Sequence, residues 1–517
     1  MRVFRSCPIA KTHSWLFALG LAVLLGCAQE SSQSKQRDAG TSNGGAAGHG
    51  TGGFEAKGGI SGSGGAIGTG GAAATGGKSG TGGSTGSGGG SSDGTGTGGG
   101  TGTGGGPGTG GRTGIGGETG TGGGIGTGGG TGGSSSTCGT SKAAQAPSGV
   151  TPFRAIDGFV TRNGSSLELC GQPFSVLGTN LYYLQSYAVY EAGRSATMTD
   201  GLDDAVRMSL PVVRMWAYYD GSGSDTAYIQ TAPGKYSETA LVGLDTAIAE
   251  AKKRGIRVIL CLTDYWEGYG GLPQYAKWAG ATGANDFYSN ATMQGYYKDY
   301  ATMLSKRTNT VTGVPYVDEP TILAWEIANE LRCEKCAIST MLNTIDSLST
   351  FLKGLFPKQL IADGGEGFDD HPDSYATLSN EYPVRGDEGA SYTSMVALSG
   401  IDMASYHYYP MDWGLTSVDS DAQAWIDGHQ AIAQAAGKVA YWGEFGYQKG
   451  ATDAVRAPIY DKWLTSFFGA TDKGALAMFW QLVPVSRGAD DGFACILGRD
   501  SATVAIFEKY SVSRAPR

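Results

Sequence analysis

Eight short apolar segments alternate with helix-length amphipathic segments along the last two-thirds of the chain, and this rhythm restricts the fold more than any other feature. Such alternation is typical of parallel strands covered by helices. Eight consecutive βα repeats predict an α/β fold, the (β/α)8 TIM barrel. The predicted strands are Ser175–Leu184, Pro211–Tyr219, Arg257–Trp266, Thr321–Glu330, Leu360–Phe368, Ile401–Tyr409, Val439–Tyr447 and Gly474–Val483.

Helical patterns fill the gaps between these strands. The pattern Thr239–Gly255 ends on a glycine, as a helix C-terminus commonly does. Before the first strand, an Asn-Gly turn separates alternating segments in Phe159–Leu169, which predicts a short β-hairpin. The other predicted helices are Ala291–Arg307, Ser339–Leu355, Asp421–Ala436 and Arg456–Phe468.

A doubly wound open sheet is the main competing architecture for a βα repeat. Its nucleotide-binding form requires a glycine-rich turn after the first strand, and no G-x-G-x-x-G follows any of the eight segments. In a barrel, functional side chains lie at the carboxyl ends of strands. The polar residues of this chain do follow its apolar segments, which favours the barrel.

Most of the 89 glycines lie in the first quarter of the 517-residue chain, mixed with serine and threonine. Such a segment buries too little apolar surface to offset its ordering entropy. We therefore expect residues 27–146 to be a disordered linker, in which Ala39–Thr137, roughly 100 residues, would span about 50 to 60 Å as a random coil. Residues 147–517 are expected to form the barrel. A low-complexity filler without a role predicts the same disorder.

Three basic residues precede the apolar stretch Ser14–Gly26, which resembles a signal peptide covering residues 1–26. The stretch ends in Leu24-Leu25-Gly26-Cys27, similar to a bacterial lipobox, so we expect lipidation of Cys27 and a lipid anchor in the membrane. An ordinary signal peptide with an incidental cysteine is the alternative. The residue after this cysteine is Ala28 and not aspartate, which resembles the pattern that directs lipoproteins to the outer membrane in Gram-negative bacteria. We expect a secreted or cell-surface protein, specifically an outer-membrane lipoprotein.

Charge and cysteine content exclude several classes. A net charge of −9 without a basic stripe excludes nucleic acid as a partner. Export implies an oxidising compartment. Cys333 and Cys336 form a C-x-x-C pair, but no second pair or histidine pair completes a metal site, so a local disulfide is predicted. The pairing of four further cysteines remains open: Cys138, Cys170, Cys261 and Cys495.

Two glutamates follow apolar strands at corresponding positions. The fourth segment ends in Trp325-Glu-Ile-Ala-Asn-Glu330, and the seventh carries Glu444, 114 residues later. Three βα units of roughly forty residues fit this spacing, which places both glutamates at the barrel mouth. Two carboxylates about 5 to 5.5 Å apart serve as nucleophile and acid/base in a retaining glycosidase. A solvated rim residue is the alternative for either glutamate alone.

Neighbouring polar and aromatic residues support this pairing. Arg214, at the end of the second segment, is placed to hold Glu444 ionised. His407 and Tyr409 lie two residues apart on the sixth segment and therefore share a face, from which they can brace the nucleophile. Asn329 can hydrogen-bond a sugar hydroxyl, and Trp480 offers an apolar floor for a sugar ring.

These motifs together resemble glycoside hydrolase family 5, and within it the endo-β-1,4-mannanases of fungi, plants and bacteria, over roughly Phe174–Tyr510. The motifs are Gly178-Thr-Asn180, Val213-Arg-Met-Trp216, Gly270-Gly-Leu-Pro-Gln-Tyr275, Asp318–Glu330, Arg332-Cys333, His407–Gly414, Glu444-Phe-Gly446 and Phe479-Trp-Gln481. The resemblance implies that Glu330 is the acid/base and Glu444 the nucleophile, with Arg214, Asn329, His407, Tyr409 and Trp480 around the cleaved bond. It also implies a disulfide between Cys333 and Cys336.

Further residues either serve the site or pack as structure. Tryptophans at strand ends stack on sugars or fill the core; we assign Trp216 and Trp413 to substrate binding. Glu326 is expected to be a buried structural carboxylate paired with an arginine. The other two candidate tryptophans are Trp266 and Trp278. His371 and His429 are expected to be structural or exposed, and the spacing of Asp369, Asp370 and Asp373 matches no calcium loop.

One departure from the family pattern lies beside the acid/base. The family usually has proline there, whereas this chain has Leu331, so we expect a less fixed turn and a modest change in rate. We also expect a raised pKa for Glu330 and an ionised Glu444.

The resemblance implies an enzyme that cuts internal β-1,4 bonds of mannan, galactomannan or glucomannan by double displacement. This chemistry requires no metal or cofactor, and we expect a monomer. Alternatives are a β-1,4-glucanase or a transglycosylase on the same fold. A surface carbohydrate-binding protein without catalysis is a third alternative.

Overall fold

The computed structural model describes residues 142–190, 192–378, 381–469, 474–488 and 491–517. The predicted signal peptide, the predicted lipidation residue Cys27 and nearly all of the predicted linker lie outside these ranges. Ala144 and Gln145, assigned to the linker from sequence, donate backbone hydrogen bonds to Phe153 and Lys253 at 2.8 Å. The end of the predicted linker is therefore tied to the barrel domain.

Eight parallel strands form a closed barrel, as the sequence predicts. The strands of the chain are β1 (Val160–Asn163), β2 (Ser166–Leu169), β3 (Gln172–Pro173), β4 (Val176–Asn180), β5 (Val212–Trp216), β6 (Gln230–Ala232), β7 (Lys235–Tyr236), β8 (Arg257–Cys261), β9 (Ile322–Glu326), β10 (Leu360–Ala362), β11 (Met403–Tyr408), β12 (Val439–Phe445) and β13 (Leu476–Phe479). Strands β4, β5 and β8 to β13 pair in chain order, and β13 closes on β4. Every residue in these eight strands is buried, because helices cover the outside and side chains fill the inside.

Ten helices occur in the described residues. They are α1 (Leu184–Val189), α2 (Ala192–Arg207), α3 (Glu238–Lys253), α4 (Gly271–Ala279), α5 (Ala291–Ser305), α6 (Ile338–Leu355), α7 (Tyr392–Val396), α8 (Val418–Ala435), α9 (Asp453–Phe468) and α10 (Ser501–Ser511). The five predicted helices, α3, α5, α6, α8 and α9, each begin and end within three residues of their predicted bounds. Side chains at Ser237 and Asn290 accept backbone hydrogen bonds and so cap the starts of α3 and α5.

A small antiparallel sheet covers the amino-terminal end of the barrel. Strands β1 and β2 form the predicted hairpin, with Asn163 opposite Ser166 and Gly164 in the left-handed region at φ +59°. Strand β3 extends this sheet. Leu167 and Phe174 pack against residues at the start of barrel strands, among them Val212 and Val439. This end of the barrel is closed by apolar packing.

Five of the eight cysteines lie in the described residues. Cys333 and Cys336 form a disulfide, and Cys170 is also disulfide-bonded. Cys261 and Cys495 are free and buried, whereas Cys138 lies outside the described residues.

Among the helices of the described ranges, none combines the length and the apolar character that crossing a bilayer requires.

Candidate active site

Glu330 and Glu444 come together at the carboxyl end of the barrel. Glu330 lies four residues after the end of β9, and Glu444 lies within β12, paired in register with His407 on β11. A carboxylate oxygen of each glutamate and a ring nitrogen of His407 lie within 4.8 Å of one another. This separation fits a retaining glycosidase, since an inverting enzyme needs about 6.5 to 9.5 Å to admit a water molecule.

The carboxylate of Glu330 contacts two nitrogen atoms. Trp266 Nε1 donates to its Oε2 at 2.6 Å, and His407 Nδ1 lies 2.8 Å from its Oε1. The Arg332 guanidinium lies 4.9 Å from the Trp266 ring centroid and forms two hydrogen bonds with Glu366, at 2.6 and 2.7 Å. This buried ion pair fixes the face of the indole, so the orientation of Trp266 is set before substrate arrives.

The carboxylate of Glu444 accepts hydrogen bonds at both oxygens. Arg214 Nη1 donates to Oε1 at 2.6 Å, and the Tyr409 hydroxyl donates to Oε2 at 2.7 Å. Arg214 is fully buried, and its Nε and Nη2 donate to Glu326 at 2.9 and 2.5 Å. The predicted pairing of Glu326 with an arginine is confirmed. Arg214 thus bridges two buried carboxylates.

Two asparagines complete the shell around Arg214. Asn180 Oδ1 and Asn329 Oδ1 accept from this guanidinium at 3.1 and 2.7 Å. Asn329 Nδ2 also donates to Asp264 Oδ1 at 3.1 Å, which leaves its second amide proton for a sugar hydroxyl. Sequence reasoning missed Asn180 and Asp264 as site residues. Both residues could have been found by the criterion that identified Asn329, because each is a polar residue at or just after the end of an apolar strand.

An aromatic wall, formed by Tyr182, Trp216 and Trp480, adjoins these carboxylates. The Trp480 ring is half-buried and stacks on Tyr182, with centroids 5.3 Å apart and planes 7° apart. Its Nε1 donates to Asp491 Oδ2 at 2.6 Å, and its backbone N–H donates to Phe445, the neighbour of Glu444. Trp216 lies 6.3 Å from Trp480 and is 5% exposed. The partly exposed rings of Tyr182 and Trp480 offer flat apolar surface for a sugar ring. Trp216 is almost fully covered, so its predicted contact with substrate stays a prediction.

The barrel sequence matches a known family over most of its length. Residues 157–456, more than half of the chain, match the family described as GH family 5 beta-mannosidase-like. The chain belongs to glycoside hydrolase family 5.

Individual relatives are 30 to 34% identical to the chain over the aligned residues. The mannan endo-1,4-beta-mannosidase 1 of Oryza sativa subsp. japonica is 34% identical over an alignment of 375 positions, which covers 68% of this chain and 84% of that protein. The endo-beta-1,4-mannanase structure from Thermotoga petrophila is 31% identical with a TM-score of 0.60, covering 67% of this chain and 78% of that one. The endo-1,4-beta-mannanase structure from Rhizomucor miehei is 30% identical with a TM-score of 0.61, covering 70% and 100%.

The turn at Glu330 differs from the family pattern in having Leu331 where proline is usual. Glu330 adopts φ +51°, a left-handed conformation that costs a non-glycine residue about 1 to 2 kcal/mol. The Glu330 N–H donates to the Gly364 carbonyl at 2.8 Å, and the Asn329 N–H donates to Thr263 at 2.9 Å. Leu331 itself is buried in the core. Hydrogen bonds to the loops after β8 and β10 therefore hold this turn without a proline ring.

The electrostatics of Glu330 differ from the sequence prediction. Burial raises the pKa of Glu330, but the hydrogen bond and charge of His407 outweigh burial, so the pKa lies below the usual range. Burial lowers the pKa of His407, and the Glu444 and Glu330 carboxylates more than reverse this. Both shifts favour a proton on His407 over a proton on Glu330 in the free site. The predicted rise in the pKa of Glu330 is wrong, because it considered burial without the imidazole.

Neighbouring groups shift the pKa of Glu444 in opposite directions. Burial raises its pKa, His407 and Arg214 lower it, and the neighbouring Glu330 charge raises it again, with a net rise. The pKa of Tyr409 is raised well above its usual value by burial and by Glu444, so the phenol keeps its proton and donates it in a hydrogen bond. Arg214 and Tyr409 favour the predicted ionised form of Glu444, whereas burial opposes it.

The carboxylates and imidazole are also close enough to hold a metal ion. However, the contacting atoms are already engaged within the protein. Glu330 Oε1 and His407 Nδ1 face each other, and the Glu444 oxygens accept from Arg214 and Tyr409. This arrangement suits transfer of a proton better than coordination of a cation.

Trp413 does not belong to this site. Its ring is 3% exposed and packs against Phe368, Tyr408 and Trp425, with centroid distances of 5.2, 5.8 and 5.5 Å. The structure therefore corrects its assignment to substrate binding, because the ring has no free face. His429 is structural, as predicted: it is buried, and burial lowers its pKa to about 4.

Proposed function

We propose that this family 5 protein hydrolyses internal β-1,4-mannosidic bonds of mannan, galactomannan or glucomannan with retention of configuration. The observation that carries the proposal is the approach of Glu330, Glu444 and His407 to within 4.8 Å at the barrel mouth. The sugar is inferred from relatives of 30 to 34% identity whose names specify β-1,4-mannan.

The first step forms a covalent intermediate. A Glu444 oxygen bonds to the anomeric carbon while the bond from that carbon to the leaving oxygen breaks. Glu330 protonates the leaving oxygen, and its own proton comes from His407 across 2.8 Å. Arg214 and Tyr409 hold the attacking carboxylate in place at 2.6 and 2.7 Å.

The second step releases the product. Glu330, now a carboxylate, takes a proton from water as the water oxygen bonds to the anomeric carbon and the bond to Glu444 breaks. Return of this proton to His407 across 2.8 Å restores the starting state. Two displacements on opposite faces restore the original configuration. The aromatic wall stacks on the sugar ring during both steps, which suits a neutral substrate.

Product analysis on mannohexaose tests this proposal. We expect several shorter manno-oligosaccharides from the first minutes, and hydrolysis of locust bean gum well above that of carboxymethylcellulose. The Glu444→Ala variant should fold and lose nearly all of this activity. Preferred cleavage of carboxymethylcellulose, or mannan binding without product release by the wild type, would contradict the proposal.

We also propose that the barrel is tethered as a monomer to a membrane surface, specifically the outer membrane, through a lipid on Cys27. Support comes from the sequence Leu24-Leu25-Gly26-Cys27 and from the glycine-rich segment that follows it. A tether of this length gives the barrel access to an insoluble polysaccharide without releasing the enzyme.

A further inference from the structure

A second cluster of buried polar side chains lies between the loop after β5 and helix α4. Asp220 is 2% exposed, Gln230 and Tyr275 are fully buried, and the hydroxyl of Tyr236 is also buried. Within the described part of the chain, six atoms of these residues have no hydrogen-bond partner: both carboxylate oxygens, both amide atoms and the two phenol oxygens. None of these residues contacts the carboxylates of the candidate active site.

The backbone holds these residues together. Asp220 and Gln230 are paired in a parallel bridge, in which the Gly221 N–H donates to the Gln230 carbonyl at 3.1 Å. Paired residues present their side chains on the same face. Helix α4, which carries Tyr275, begins after Gly270, where a Cβ atom would lie 2.8 Å from Asp220 Cβ. The two unpaired polar side chains and the start of α4 therefore adjoin.

The charge of Asp220 is not balanced by a protein cation. Among the described residues, no arginine, lysine or histidine forms an ion pair with it, and burial raises the pKa of its carboxyl well above the usual value. An ionised Asp220 would raise the pKa of Tyr236, Tyr275 and Tyr300. An isolated buried carboxylate is very costly unless a proton or a cation neutralises it.

The chemistry of the cluster selects the cation. Its free donors are carboxylate, amide and phenol oxygens, which are ligands for hard cations. A single carboxylate balances one positive charge, whereas a divalent ion would leave a buried net charge.

We propose that Asp220, Gln230, Tyr236 and Tyr275 bind a monovalent alkali cation, Na⁺ or K⁺. The ion ties the loop after β5 and strand β6 to helix α4. The loop that precedes α4 carries Trp266, the hydrogen-bond donor to Glu330. The cation therefore stabilises the support of the acid/base as well as the local fold.

Thermal melting at equal ionic strength tests the site. We expect the Tm of the wild type to be about 3 °C or more higher in NaCl or KCl than in choline chloride, because only the small ions bind the folded state. Asp220→Asn should lose this difference, and Asp318→Asn, a change at an exposed ion pair, should keep it. Equal Tm values in all three salts for the wild type would overturn the proposal in favour of a protonated Asp220 with buried water.

Two further measurements do not depend on the folding of Asp220→Asn. Gln230→Glu adds a second carboxylate and should make the Tm rise with Ca²⁺, an effect absent from the wild type. Wild-type crystals soaked in Rb⁺ should show an anomalous peak between the Asp220 carboxylate and the Gln230 amide. Ordered water without such a peak would overturn the proposal.

Discussion

The Nδ1 atom of His407 lies 2.8 Å from Oε1 of Glu330. The same nitrogen is 3.9 Å from the second glutamate, Glu444, and the imidazole is fully buried. His407 therefore links the two carboxylates. The pKa of Glu330 is lowered and that of His407 is raised, so the pair favours the proton on the imidazole.

His407→Asn should raise the pKa of the Glu330 carboxyl, because burial persists while the imidazolium charge is removed. Loss of the proton donor should also lower kcat/KM by about 100-fold. Infrared difference titration reports the carboxyl directly, and Glu330→Gln identifies its band. An unchanged or lower midpoint in His407→Asn would show that the imidazole does not set this pKa.

Arg214→Met should destabilise the fold by about 3 to 5 kcal/mol, because it leaves Glu326 and Glu444 buried without their shared cation. Denaturant unfolding at pH 7 measures this loss. Arg385→Met is the matched control, since the Arg385–Asp387 pair is half exposed and should contribute at most about 1 kcal/mol. Equal small losses for both variants would refute the bridging role of Arg214.

Asp245→Asn should lower stability at neutral pH by about 3 kcal/mol, and less as the solution is acidified. Burial raises the pKa of Asp245, but hydrogen bonds from Arg307, Tyr316 and Thr310 outweigh it and lower the net pKa. A carboxyl whose folded pKa is depressed stabilises the fold above its unfolded pKa, about 3.9, and loses this contribution as pH falls through the folded pKa.

Urea unfolding of wild type and Asp245→Asn at pH 7 and near pH 3 checks this sign. The exposed Asp373→Asn should show no comparable difference at either pH. A gap between wild type and Asp245→Asn that widens on acidification would contradict the hydrogen-bond account.

Cys27→Ser should abolish membrane attachment in a Gram-negative host that lipidates exported proteins. The wild type should partition into the detergent phase of Triton X-114, whereas the variant should stay in the aqueous phase. Cys7→Ser, which changes a cysteine ahead of the apolar stretch, should behave like the wild type. Aqueous partitioning of the wild type would favour the ordinary signal peptide.

The barrel could be predicted because its strands leave a strong apolar signal. All eight predicted segments contain a barrel strand, but most extend past its end; Leu360–Phe368, for example, contains only the three-residue β10. The six residues after β10 are all buried at the barrel mouth, so burial continues past the end of strand pairing. Helix α2 was missed because its buried stripe is short, with Met198, Leu202 and Val206 as its larger members.

Site residues at the ends of strands could be predicted from the sequence. Residues that a loop positions could be predicted less well. Glu330, Glu444 and Arg214 followed from register and spacing. Trp266 and Trp413 both follow strands and look equivalent in sequence, yet one donates to Glu330 and the other packs in the core. Loop conformation decides between these outcomes, and periodicity carries no information about it.

We propose that Glu444 is the nucleophile and Glu330 the acid/base of a retaining hydrolase. A 2-deoxy-2-fluoro-β-mannosyl fluoride should trap the covalent intermediate, because the fluorine slows both displacements and the fluoride leaves without an acid. Peptide mapping by mass spectrometry then identifies the labelled residue. We predict a single label on Glu444; a label on Glu330, or none during turnover of mannohexaose, would contradict these assignments.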